Sequence, residues 1–281
     1  MIYSEYYSYG ELPVYDQAEY GLPKKDQTNY YSYEFESWDQ TPVAVTEDAE
    51  YHAQFRQIVR LYSISWLDGD GSVIYTEGLP YDAELVYNSA YYGLPTKAST
   101  EYFKYSFKEW AGLSDNRRVN GDRAIESEFY AFNIIKNVND DYQIVDISTL
   151  SSIDEVLLDM RDITGDSKLE IRFENLSITF DGRDMYDIKA SGAQIFSLTK
   201  DFNYTAKKYN GYSRVWSCKI EVVIDGYQIK EFDSGVSIRL NGSLDDKSDL
   251  YLGGNTINFT REDSDTISFS SNRLGVFLYG V

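Results

Sequence analysis

Few side chains in this sequence are of the types that most often do chemistry. Ser-His-Asp, Cys-His and imidazole metal sites need a poised imidazole beside a nucleophile, or several imidazole ligands. The chain holds one histidine, His52, and one cysteine, Cys218. Cys218 lies in the alternating run Val215–Ile224, where a small buried strand residue is expected in place of a reactive thiol, and a lone cysteine excludes an intrachain disulfide. Acidic residues are plentiful, 46 in all. A glycosidase needs two of them fixed about 5–10 Å apart across a cleft, and sequence spacing selects no pair. Asp68 with Asp70, Asn139-Asp140-Asp141 and Asp245-Asp246 are oxygen-rich enough to hold a hard cation such as Ca²⁺. None shows the twelve-residue calcium-loop pattern, and turns favour Asp for backbone reasons alone. Gly253-Gly254-Asn255 lacks the Lys-Ser/Thr step and following helix of a phosphate cradle, so it reads as a turn. The expectation is therefore a non-enzyme with no catalytic, cofactor-binding or metal residue. The ligand-binding residues are unknown at this point.

Composition narrows the partners. A formal charge of −20 opposes any electrostatic grip on phosphate backbones or anionic lipid, which need clustered Lys and Arg. No segment reaches the roughly 18 consecutive apolar residues of a membrane span. Nucleic acid and membrane insertion are both set aside. The 27 Tyr and 14 Phe against 3 Met point to strands, where rings pair across a pleated surface. At 281 residues two or three domains are expected.

The elements that would position any site come from a repeat. Val14-Tyr15 and Tyr20-Gly21-Leu22-Pro23 recur as Val86-Tyr87 and Tyr92-Gly93-Leu94-Pro95, and aligning residues 2–38 on 74–110 at that constant offset gives 17 identities in 37 positions. Trp38 and Trp110 end the matched stretch, which also pairs Tyr30, Tyr33 and Phe35 with Tyr102, Tyr105 and Phe107. Beyond it, Val45-Thr46-Glu47-Asp48 leads to Tyr51, Ala53 and Phe55 much as Val119-Asn120-Gly121-Asp122 leads to Phe129, Ala131 and Phe132. Each copy reads as strand, tight turn, strand, Gly-Leu-Pro loop, an aromatic strand ending in Trp, and a closing strand. His52 falls in the first closing strand and has no counterpart in the second. Trp38 and Trp110 are expected to cap small cores, with an exposed sugar platform as the competing reading.

Arg60–Trp66 opens the second copy as an alternating strand and ends at the turn Asp68-Gly69-Asp70-Gly71. The first copy has no such strand, so its ladder lacks a partner. Either the chain was cut inside a repeat, or a neighbouring module or chain donates a strand to the open edge of residues 1–57.

The order Trp-Leu-Asp-Gly-Asp-Gly-Ser-Val-Ile, Tyr75, the Tyr81-Asp82 turn, Gly93-Leu94-Pro95-Thr96-Lys97, Tyr105-Ser106-Phe107 and Trp110 resembles the internalin-type B-repeat. Residues 45–55 look like its closing strand. The resemblance covers residues 1–132 and implies β-grasp-like modules, tandem on bacterial surface proteins and without an active site. The expected organisation is a first repeat over 1–57, a second over 58–133 and a C-terminal β-rich domain over 140–281.

Past residue 133 the repeat stops. Ser152 with Glu155 has the form of a capping box, and Ile153, Val156, Leu157, Met160 and Ile163 share a helical face, which predicts a helix ending at Gly165. Strands are expected over Lys168–Glu174, Leu176–Phe180, Gln194–Thr199, Arg214–Ile224, Gly235–Leu240, Thr256–Arg261, Thr266–Ser270 and Leu274–Tyr279. A second helix begins at Asp181 and stops at Gly192, and Asp225-Gly226 signals a hairpin. This half looks like the domain that often follows such repeats. The fold class is mainly β with minor α: two β-grasp-like modules, then a β-sandwich-like domain with two short helices.

The functional expectation is a secreted or cell-surface adhesin-type fragment, its repeats a stalk and its C-terminal domain a binding or assembly module for a host or bacterial surface protein or glycan. A phage virion fibre or decoration subunit is the alternative, and an accessory module of a carbohydrate-active enzyme a remote one. Met1 is followed at once by Tyr-rich polar sequence, unlike a signal peptide, and Leu278–Val281 carries no sorting motif. Export by another route, or excision from a longer protein, is expected.

Overall fold

A computed structural model describes residues 4–205, 211, 215–241 and 249–280. The chain is mainly β with minor α and divides into two units, Met1–Lys97 with Phe107–Phe129, and Ala98–Ser106 with Tyr130–Val281.

The first unit carries α1 (Gln17–Tyr20), β1 (Tyr31–Trp38), β2 (Ala53–Val59), β3 (Leu61–Leu67), β4 (Val73–Pro80) and α2 (Ser89–Tyr92). After them come β5 (Phe103–Trp110), β6 (Arg123–Ile125) and β7 (Ser127–Asn133), with the unit division running through β5 and β7. The one-turn helices were not expected. Each starts where a side-chain oxygen can satisfy free amides: Asp16 accepts from Ala18 and Glu19 N–H, and Asn88 from Tyr91 N–H. β1 pairs antiparallel with β2, and β5 with β7. β3 lies between β4, antiparallel, and β6, parallel. The alternation read in the sequence places Ile64 and Trp66 of β3 inward, where they join Leu85, Val119 and Ile125 in a small core.

The second unit continues with β8 (Lys136–Asn139), β9 (Tyr142–Asp146), β10 (Glu155–Asp159), a 3₁₀ turn (Met160–Asp162), β11 (Lys168–Arg172), β12 (Leu176–Phe180) and α3 (Gly182–Ala190). The remaining strands are β13 (Ile195–Thr205), β14 (Val215–Ile224), β15 (Tyr227–Ile229), β16 (Glu231–Asn241), β17 (Leu250–Leu252), β18 (Asn255–Ile257), β19 (Thr260–Arg261), β20 (Thr266–Arg273) and β21 (Val276–Gly280). They form two sheets. One runs β10-β13-β14-β21-β17-β18, with β15 on β14; the other runs β19-β20-β16-β12-β11-β9-β8. The inner faces share one apolar core, with Leu158, Phe196, Cys218 and Phe277 from the first sheet and Leu169, Ile178, Phe180 and Ile238 from the second. This is a sandwich, antiparallel except where β9 and β11 run parallel.

The helix expected over residues 152–165 is instead β10 and the 3₁₀ turn. Val156, Leu158 and Met160 also alternate at period two, and the alternation wins because β13 offers a ladder partner, setting Val156 opposite Leu198 and Leu158 opposite Phe196. The helix expected from Asp181 is α3, capped by the Asp181 carboxylate on Arg183 N–H, with Met185 buried. The Asp225-Gly226 hairpin is also present: both residues have positive φ, 48° and 87°, and Ile224 faces Tyr227 across it.

Candidate interaction surface

The two repeats are built alike, atom for atom at many positions. Tyr15 packs edge-on against Trp38 at 5.0 Å, and Tyr87 packs tilted against Trp110 at 4.5 Å. Phe35 bridges Trp38 and Phe55 at 5.4 and 6.2 Å, while Phe107 bridges Trp110 and Phe129 at 5.3 and 6.1 Å. The Tyr15 hydroxyl donates to Gly21 O at 2.7 Å, and that of Tyr87 to Gly93 O at 2.9 Å. Backbone bonds repeat as well. Gly10 N–H donates to Val45 O and Val45 N–H to Glu11 O in the first copy; Asp82 N–H donates to Val119 O and Val119 N–H to Ala83 O in the second. The shared sequence thus encodes a shared aromatic bracket around each Trp.

What differs is the cover. In the second copy β3 lays the fully buried Trp66 4.9 Å from Trp110 and 5.2 Å from Tyr87. The turn after β3 then clamps the Gly-Leu-Pro loop. The Asp68 carboxylate accepts from Thr96 N–H and from the Thr96 hydroxyl, and Gly69 N–H donates to Thr96 O at 3.0 Å. Gly69 must be glycine, because a Cβ there would stand 2.5 Å from Thr96 O and 2.9 Å from the Phe129 ring. Among the described residues 4–59 of the first copy, by contrast, only Pro23 is buried. Ser4–Ser8, which align with Thr76–Pro80 of β4, form no strand, and among the described residues no strand pairs with them as β3 pairs with β4.

A second junction feature recurs. Tyr30 N-terminal to β1 stacks edge-on on Tyr81 at 4.9 Å, and its carbonyl accepts from Arg60 N–H, the single residue between β2 and β3. Its counterpart Tyr102 accepts from Ile134 N–H, packs against the sandwich core and places its hydroxyl 3.2 Å from that of Thr149. In each repeat, therefore, a Tyr is tied to the residues that follow the closing strand. Tyr9, the first-copy counterpart of Tyr81, is 84% exposed.

The residues singled out for chemistry have structural employment. His52, just before β2, accepts at its carbonyl from Asp39 N–H, donates its own N–H to Asp39 Oδ1, and has its ring 3.8 Å from the exposed Glu50. Cys218 lies in the sandwich core, where burial pushes its thiol up to about 12. Asp70 accepts from Ser72 N–H, and Asn139 from Asp141 N–H in the turn between β8 and β9. Asp245 and Asp246 lie outside the described residues. Gly253 and Gly254, both at positive φ, turn β17 into β18. No group of three or more His, Cys, Asp or Glu placed to share a metal ion occurs among the described residues.

Buried polar groups that sequence reading missed also have structural partners. Gln143 is buried, donates to Asn137 Oδ1 and Asp162 O, and accepts from Thr164 N–H, tying β9 to β8 and to the segment ending the 3₁₀ turn. Asp159 is held by Arg161 and Lys104, and Glu170 by Arg172 and the Tyr142 hydroxyl. A shallow depression of about 410 Å³ beside Asn137, Asn139 and Thr164 is lined by a single carboxylate, Asp140. No described helix is long and apolar enough to cross a membrane. Among the described residues of the first repeat, nothing lies over Trp38 as Trp66 lies over Trp110, and Tyr9 stays exposed. Comparison with protein-family models, curated proteins and solved structures finds no match to this chain.

Proposed function

We propose that the chain is a non-catalytic, extracellular surface or adhesin-type fragment in which tandem aromatic-bracket repeats act as a spacer and the sandwich as a ligand-binding or assembly module. The observation that carries this reading is the duplicated bracket, in which Tyr15 and Trp38 are matched by Tyr87 and Trp110 down to the hydroxyl bond onto the Gly-Leu-Pro loop. Duplication of a small module with no cleft lengthens a chain without adding a reaction. The acidic surface supports exposure to an aqueous exterior, where like charge resists nonspecific sticking to anionic envelopes. The resemblance of residues 1–132 to internalin-type B-repeats supports a bacterial surface setting.

The test is an array of glycans and surface proteins probed with the intact chain, beside a broad hydrolase screen and fractionation of cells expressing the native protein. A ligand captured through residues 140–281, no turnover, and protein outside the cell are expected. Turnover abolished by exchanging one or two acidic residues would overturn the non-catalytic reading, and a purely intracellular native protein would overturn the surface one.

A further inference from the structure

We propose that the first repeat is a receptor for an extended strand of the β3 type, the strand that directly follows the closing strand of another repeat of the same kind. The second repeat shows what such a strand does. It pairs along β4, seats an indole on Trp110, and follows it with Asp and Gly that fasten the Gly-Leu-Pro loop. The first repeat keeps the receiving half of that arrangement: the Trp38 bracket, the loop through Gly21–Lys24, and the Ser4–Ser8 stretch that aligns with β4. Among the described residues no strand of the β3 type pairs with Ser4–Ser8.

Strand continuity identifies the donor. β2 closes the first repeat, and after Arg60 alone the chain becomes β3 of the second. The strand that directly follows a closing strand is thus what covers the next module. The alignment also fixes register and chemistry. The donor places an aromatic residue against Trp38, and an Asp two positions on accepts from Lys24 N–H, since Lys24 aligns with Thr96. The next residue is Gly, because the approach that leaves Gly69 no room for a Cβ is repeated at Lys24. A donor Tyr in the place of Tyr62, which lies 6.1 Å from Tyr81, reaches the exposed Tyr9. The recognised pattern is therefore Tyr-x-apolar-x-Trp-x-Asp-Gly in extended form.

The probe is a fluorescein-labelled peptide with the sequence of residues 61–72, LYSISWLDGDGS, titrated with the full chain and read by polarisation and by hydrogen exchange. Saturable binding with one peptide per chain, and new amide protection over Ser4–Ser8 with β5 and β7 unchanged, are expected. Within the peptide, Trp66→Ala, Asp68→Ala and Gly69→Val each weaken binding by at least about tenfold, as expected for central anchors. These changes leave the receptor untouched, so loss cannot come from misfolding; Trp38→Ala in the chain gives the same loss. No binding at millimolar peptide would overturn the proposal, and so would equal binding of a scrambled peptide. Concentration-dependent dimerisation that protects Ser4–Ser8 and excludes the peptide would replace it with a second copy as occupant.

Discussion

Trp66 stands 4.9 Å from Trp110, ring crossed on ring at 70°, and its Nε1–H donates to Glu77 Oε1 at 3.2 Å. This pair closes the second repeat. Trp66→Ala leaves a large void in a core of only a few residues, at a cost of about 3–5 kcal/mol. Urea unfolding followed by the fluorescence of Trp110 is expected to show the loss, with the sandwich transition unmoved.

Gly69→Ala forces the Asp68–Gly69 turn away from Thr96, breaking the Gly69 to Thr96 bond and loosening Asp68. The expected cost is about 1–3 kcal/mol, the range of overpacking in a closed site. Faster hydrogen exchange at the Thr96 amide is the local signature, and an unchanged rate there would remove the clamp from the account.

Repeats with the same bracket but unequal cover should differ in local stability. Hydrogen exchange in β1 and β2 is expected to be faster than in β5 and β7, because among the described residues of the first repeat only Pro23 is buried while the second encloses Trp66, Ile64 and Ile125.

Cys218, in the sandwich core, is expected to resist a thiol reagent in the native chain and react fully in denaturant. Its folded pKa, raised to about 12 by burial, exceeds the roughly 8.5 of a free thiol. The stability that this difference contributes is complete below about pH 8.5 and is lost as pH rises towards 12, where the unfolded thiolate is favoured. Cys218→Ser leaves a hydroxyl in the same apolar pocket and costs stability at neutral pH, but flattens that alkaline decline.

Asp159 gives the opposite slope. Hydrogen bonds from Arg161, with Lys104 nearby, hold its carboxyl at about 2 against burial that opposes ionisation, below the roughly 3.9 of a free Asp. Its contribution is present above about pH 4 and lost as pH falls towards 2. Asp159→Asn is expected to remove no more than about 2 kcal/mol at neutral pH, because Arg161 is largely exposed and screened, and to make the acid limb of the stability curve shallower.

Much of this fold was legible because the repeat carries its own control. Trp38 and Trp110, Phe35 and Phe107, and Tyr15 and Tyr87 could be paired from spacing alone, and the strand bearing Ile64 and Trp66 followed from alternation. The sandwich strands were readable wherever apolar residues alternate between turn signals, as in β12, β14 and β20. Residues 152–163 misled because Val156, Met160 and Ile163 fit a helical face while Val156, Leu158 and Met160 fit a strand; only β13, distant in sequence, decides between them. The caps Asp16 and Asn88 were visible but unread, since a single helical turn leaves no periodicity. Gln143 and Asp159 gave no signal, because their partners come from loops and strands that only the folded chain assembles. The cover over Trp110 was half legible: the alternation of β3 shows a strand bearing Ile64 and Trp66, but not that Asp68 and Gly69 belong to the cover.

One residue, Arg60, separates β2 from β3. No linker exists at that joint for a protease to nick or for a hinge to bend. Severing the chain there would part β3 from β2 and leave it with the second repeat, so neighbouring repeats behave less like beads on a string than like planks nailed at a shared end.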